Sequence, residues 1–201
     1  MATELREDRI LATSLGHLER RGMHAWGVHG VAHWWRVRHN GLLLAPKTGA
    51  DALVVRLFAL FHDSHREDDY ADPGHGPRAA DWLARVRDGL PLGADAACDA
   101  TREAIAALQP AQFALLRTAC ELHTNSIHHD DTTVATCFAA DRLDLARVGM
   151  KPNPKYIPVD RAILTDAVIA DAMARTDAGL SWTDSAEFTR TWGVAIPARR
   201  R

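Results

Sequence analysis

The segment Ala52–Phe61, ALVVRLFALF, is apolar at every position except Arg56 and runs directly into His62-Asp63. A helix that is apolar on nearly all sides must lie in the middle of a structure, covered by other elements. The chain can supply that cover, with 201 residues of which 47% are hydrophobic. Ending such an element on two ionisable side chains is costly unless something satisfies them. A hydrogen-bond network, a catalytic pair or a metal ion would each do so.

The rest of the chain reads as helix after helix. Residues 5–21 place Ile10, Leu11, Leu15 and Leu18 on one face, with charges opposite. Residues 28–46 form a second helix, weakened in its middle by Gly41. Residues 50–62 are the buried third. A loop over 68–76 holds Pro73-Gly74, and Pro77 is placed to open a fourth helix running to 88. After a connector at 89–95, helices are expected over 99–108, 110–123 and 132–148, the last stopped by Gly149. Two prolines keep 151–156 irregular, and a final helix spans 160–177. No segment alternates with a period of two, so the fold class is all-α: one domain over 1–201, with a core at about 24–150 and a proline-bearing loop and helix at 151–177.

The formal charge of −2 argues against a broad nucleic-acid footprint. No apolar stretch reaches the roughly 20 residues of a membrane span, and the charged N-terminus from Met1 to Asp8 lacks a signal-like core. The expected location is therefore cytoplasmic. Cys98, Cys120 and Cys137 have no CxxC spacing and read as reduced, partly buried residues. The compositional oddity is the histidines: eleven in all, with none after His129. Imidazoles and carboxylates brought together from several helices suit a borderline transition-metal ion.

The order of four stretches carries a resemblance. His33 in HWWRV, His62-Asp63 in LFALFHDSHR and Asp141 in AADRLDLARVG resemble the H…HD…D signature of the HD-domain superfamily. His75 in HGPRAADWL and His123 in ACELHT are similar to the extra histidines of its dinuclear members. The resemblance implies an HD-like helical bundle with an interior metal site. Its ligands would be His33, His62, Asp63 and Asp141 for one ion and His75 and His123 for a second, with Asp63 bridging. The cofactor would be one or two divalent transition-metal ions drawn from Fe, Mn, Zn, Co or Ni. The implied activity is phosphohydrolysis of a nucleotide or other small phosphate ester by metal-activated water. A diiron oxygenase on the same six ligands and a non-catalytic metal-binding module are the alternatives. The HDIGK or HDxxE continuation and the GYP segment of some relatives are missing here.

Beside Asp63, the expected catalytic groups are Arg66, to grip a phosphate, and His65, to protonate the leaving group. His29 shares a face with His33 and reads as a partner of the ligands, a substrate contact or a solvated rim residue. His128-His129-Asp130-Asp131 reads as a solvated loop, and Trp26, Trp34, Trp35 and Trp82 as core or pocket wall. Arg36, Lys151 and Lys155 are further candidates for meeting phosphate. Arg199-Arg200-Arg201 reads as a solvated tail.

Overall fold

The computed structural model describes residues 5–197; the expectations for Met1 to Glu4 and for Arg199-Arg200-Arg201 lie outside them. Among the described residues there are nine α-helices and no strand. They are α1 (Glu7–Arg20), α2 (Val31–Thr48), α3 (Ala52–Phe61), α4 (His75–Arg87), α5 (Ala96–Ala107), α6 (Pro110–Leu122), α7 (Thr132–Arg142), α8 (Asp166–Asp177) and α9 (Ser185–Trp192). None is long and apolar enough to cross a membrane.

The helix α3 is central, as its composition demands. It packs against α1, α2, α6 and α7, and every residue from Leu57 to Phe61 is 0% exposed. Asp51 starts it by accepting the Leu53 and Val54 backbone N–H groups, which removes two of the unpaired donors at the helix end. The helix α2 lies across α3 and α7, and α4 packs on α6. A smaller apolar cluster, with Leu44, Leu143, Ile157, Leu164 and Ile169, joins α8 to this frame.

Several boundaries differ from the sequence reading. Gly41 does not weaken α2; a Cβ there would come within 2.4 Å of Val55 Cγ1, so the glycine lets α2 approach α3 closely. That helix also runs past Pro46 to Thr48, and Gly49 closes it with φ +79°. The fourth helix begins at His75, two residues before Pro77, because a first-turn proline forfeits no intrahelical bond. α7 stops at Arg142 and the chain tightens into a 3-10 turn, Leu145–Val148, where a continuous helix to 148 was expected. α8 starts at Asp166, with Thr165 as its cap.

The sequence reading missed α9. Only Phe188 and Trp192 mark its inner face, one turn apart, and Asp184 caps it. It docks on α1, where the Trp192 indole donates to Glu7 at 2.8 Å. The same carboxylate, 1% exposed, accepts Arg38 at 2.7 Å and Arg56 at 2.5 Å, tying four helices together. The three cysteines are free, Cys120 and Cys137 in the core and Cys98 half-buried.

Candidate metal centre

Five helix ends meet beside α3. His33 comes from the first turn of α2, His62 and Asp63 from the turn closing α3, His75 from the start of α4, His123 from the end of α6 and Asp141 from the last turn of α7. His33, His62 and Asp141 offer ligand atoms all within 4.8 Å of one another, and so do Asp63, His75 and His123. Asp63 joins the two groups. Its Oδ2 is 3.5 Å from His33 Nε2 and 3.6 Å from His62 Nε2, while its Oδ1 is 3.0 Å from His75 Nε2 and 3.7 Å from His123 Nε2. All six residues named from the motif therefore face one another.

What the other ring nitrogens do decides the chemistry. His62 Nδ1 donates to the Phe58 carbonyl at 3.1 Å, His123 Nδ1 to the Cys120 carbonyl at 2.8 Å, and His75 Nδ1 to the Asp72 carbonyl. His33 Nδ1 donates to Asp144 Oδ2 at 2.7 Å. A carbonyl can only accept, so at His62, His75 and His123 the hydrogen sits on Nδ1, and in that tautomer the Nε2 lone pair faces inward. Yet His75 Nε2 and His123 Nε2 are 2.8 Å apart, and His33 Nε2 and His62 Nε2 are 3.1 Å apart. Facing lone pairs repel unless a proton or a cation lies between them. Asp141 Oδ1 is also buried and makes no hydrogen bond. Orphaned acceptors and paired imidazoles gathered in a buried space could hold a metal ion.

The electrostatics agree. Burial and the nearby Arg147 oppose a charge on His33, but Asp141, Asp144 and Asp63 outweigh them and lift it to about 9. Burial, together with the neighbouring imidazoles His33 and His123, pushes His62 down to about 3. Against the pull of burial, the surrounding histidines hold Asp63 well below the usual carboxylate range, and His33 and Arg147 do the same for Asp141. The cluster is built to surround positive charge.

Asp144 is the supporting residue that the sequence reading did not single out. It is 0% exposed and holds His33 while accepting Arg36 Nε at 2.6 Å and Thr176 Oγ1 at 2.7 Å. Arg36 is therefore committed inside the fold and does not meet phosphate. The signal was present: Asp141 and Asp144 are three residues apart on one helical face. His29 turns out to be a partner of the ligands, 6% exposed, with Nδ1 3.0 Å from Asp63 Oδ2 and Nε2 3.2 Å from the Asp69 carbonyl.

A cavity of about 880 Å³ opens onto Asp63, His75, His123 and Asp141, with Arg66 and Arg147 in its walls. Arg66 lines the cavity, with NH1 3.5 Å from Asp63 Oδ1 and 3.1 Å from His75 Nδ1. His65 does not join the site. It points to the other side of the turn, stacked on His17 at 4.7 Å between ring centroids and beside Trp82, with Nδ1 2.9 Å from Ser64 Oγ. Two positions along a helical turn are about 200° apart, so His65 opposes Asp63 whereas Arg66 shares its side. Burial pushes His65 down to about 2, which keeps the ring neutral at ordinary pH. Lys151 lines a different groove, against α8, and Lys155 lies over Tyr156. His129 accepts the Asp131 backbone N–H in the loop before α7.

No protein-family model, curated protein or solved structure matches the chain.

Proposed function

We propose that the protein is a metal-dependent phosphohydrolase of the HD type, acting on a small phosphate ester in the cavity beside Asp63. The observation that carries this reading is the Asp63 carboxylate, whose two oxygens each face a separate group of ligands. His33, His62, Asp63 and Asp141 would hold one ion, and Asp63, His75 and His123 a second. A bound divalent ion supplies a water of lowered pKa and withdraws charge from a phosphoryl oxygen.

The chain's own residues supply the rest. Asp144 locks the His33 ring, and the carbonyls of Phe58, Asp72 and Cys120 lock the other three. His29 holds the bridging carboxylate from the cavity side. Arg66 reaches the same carboxylate with one nitrogen, and its planar fork suits a phosphate oxygen pair. His65 faces away from the cavity, so the departing oxygen takes its proton from water.

Elemental analysis of protein purified without chelators, followed by a phosphate-release screen over nucleotides and simple esters, tests the reading. The expected result is about two equivalents of metal and release of inorganic phosphate. Iron with oxygen consumption and no phosphate release would move the site to the oxygenase alternative.

A further inference from the structure

The cavity has two unlike ends. At its floor, Arg66 and Arg147 stand on opposite flanks. Arg66 NH1 is 3.5 Å from Asp63 Oδ1, and Arg147 NH2 is 3.8 Å from Asp141 Oδ1 and 3.4 Å from His29 Nδ1. The Arg147 side chain is only 9% exposed, and its Nε is buried with no hydrogen-bond partner. NH1 reaches the Asp144 carbonyl at 3.2 Å and NH2 turns to His29 and Asp141, which leaves Nε as the idle donor. Arg142, in the same wall, differs: its guanidinium is spent on the carbonyls of Ile127, Tyr156, His123 and Ser126. A buried guanidinium with an idle donor is costly unless a ligand completes it. Arg147 is thus the unfinished half of an anion clamp.

The mouth is apolar. Val28, Val148 and Met150 are 43%, 40% and 53% exposed, and they stand together around the opening with Tyr70. Exposed apolar groups gathered at a cavity mark a surface that a ligand covers. No lysine lines the cavity, and the Asp69 carboxylate beside Tyr70 disfavours further negative charge there.

From this arrangement, and resting on the hydrolase reading above, we infer that the substrate is a phosphate monoester dianion carrying an uncharged apolar group, aryl or alkyl, with a nucleoside polyphosphate excluded. Arg66 and Arg147 take the phosphate, and the Val28, Val148 and Met150 mouth takes the organic part. In the reaction, water oxygen bonds to phosphorus, the ester P–O bond breaks, and a water proton passes to the leaving oxygen. The products are an alcohol or phenol and inorganic phosphate.

Calorimetry on the metal-replete full chain with phenylphosphonate, which cannot be hydrolysed, separates this inference from the activity. Phenylphosphonate should bind about 10-fold more tightly than inorganic phosphate, from the apolar area covered, and about 10-fold more tightly than its monomethyl ester, from the second charge. Arg147→Gln should weaken it by about 10- to 100-fold at unchanged metal content. The double variant Val148→Ser/Met150→Ser, at exposed positions, should weaken phenylphosphonate by about 5-fold and more than it weakens phosphate. Equal affinity for phosphate and phenylphosphonate, tighter binding of adenosine triphosphate, or an indifferent Arg147→Gln would each overturn the inference. Phosphate release from nucleotides without the phenylphosphonate preference would leave the hydrolase reading standing and sink this one. The preference without phosphate release from phenyl phosphate would do the reverse.

Discussion

Two clusters of buried histidine flank the turn after α3, and they differ in one ingredient. On one side His33, His62, His75 and His123 surround Asp63, with Asp141 among them. On the other, His17 and His65 stack on each other against Trp82 with no carboxylate in the stack. In the first cluster the carboxylates outweigh burial at His33 and raise it to about 9. In the second, burial and the Arg20 and Arg21 charges go unanswered, and His17 falls to about 4. Burial alone makes a histidine a neutral core side chain. Convergent acids, and an acceptor on each Nδ1, leave a group that could hold a metal ion.

The first cluster also divides within itself. His33 and His62 are 0% exposed and lie behind the cavity wall, with Asp144 bracing His33. His75 and His123 stand in the wall, each held by a backbone carbonyl, and His75 also meets Thr124 and Arg66. The inner group is therefore the more deeply buried, and the outer one faces the cavity.

The greatest effect should come from Asp63→Ala, which removes the shared carboxylate. Metal content should drop from about two equivalents to below about half of one by elemental analysis, leaving two clusters of merely buried imidazoles. Full retention would show that the carboxylate is not what separates the clusters. Next, His123→Ala should leave about one tightly held equivalent, the inner one, whereas His62→Ala should lower both the content and the retention on dialysis. Equal losses from the two variants would erase the inner and outer distinction. Asp144→Asn keeps the shape but weakens the brace on His33, so metal affinity of the inner group should fall by about 10- to 100-fold in a chelator competition.

A smaller effect belongs to pH. His17 has a folded-state value near 4 against an ordinary 6.5, so the unfolded chain takes up the proton first as pH falls. Its contribution is intact above pH 6.5, shrinks between about 6.5 and 4, and is level below. Allowing for its partial exposure, the loss should be about 1 kcal/mol, seen as the difference between the pH-stability curves of the native chain and His17→Phe. A native-minus-variant difference that grows toward low pH has the wrong sign. Smallest of all should be His65→Phe, for which metal content and phosphate release should stay within about 2-fold of the native chain, because the ring faces away from Asp63. A larger fall in phosphate release at full metal content would return His65 to the site.

Much of the site was legible because it is written at helix ends. A run as apolar as Ala52–Phe61 must be central, so whatever ends it is buried, and His62-Asp63 follows at once. Facing was less legible. Arg66 and His65 are adjacent in sequence, and only the phase of the turn separates a cavity residue from a core one. The α7 boundary cost more. A helix continued to Val148 hides the 3-10 turn Leu145–Val148, from which Arg147 reaches the cavity. The eight-residue α9 escaped because two aromatic side chains on a polar background make a weak periodic signal.

The amino-acid sequence by itself determined the all-helical class, the central place of α3 and the residue types that gather beside it, since these follow from apolar periodicity and from local chain chemistry. Only the tertiary structure decided which imidazoles share an acid, which nitrogen of each ring is free, and that Asp144 and Arg147 complete the centre. Those depend on contacts between residues more than a hundred positions apart, such as His33 with Asp144. Spacing along one helix carries no information about them.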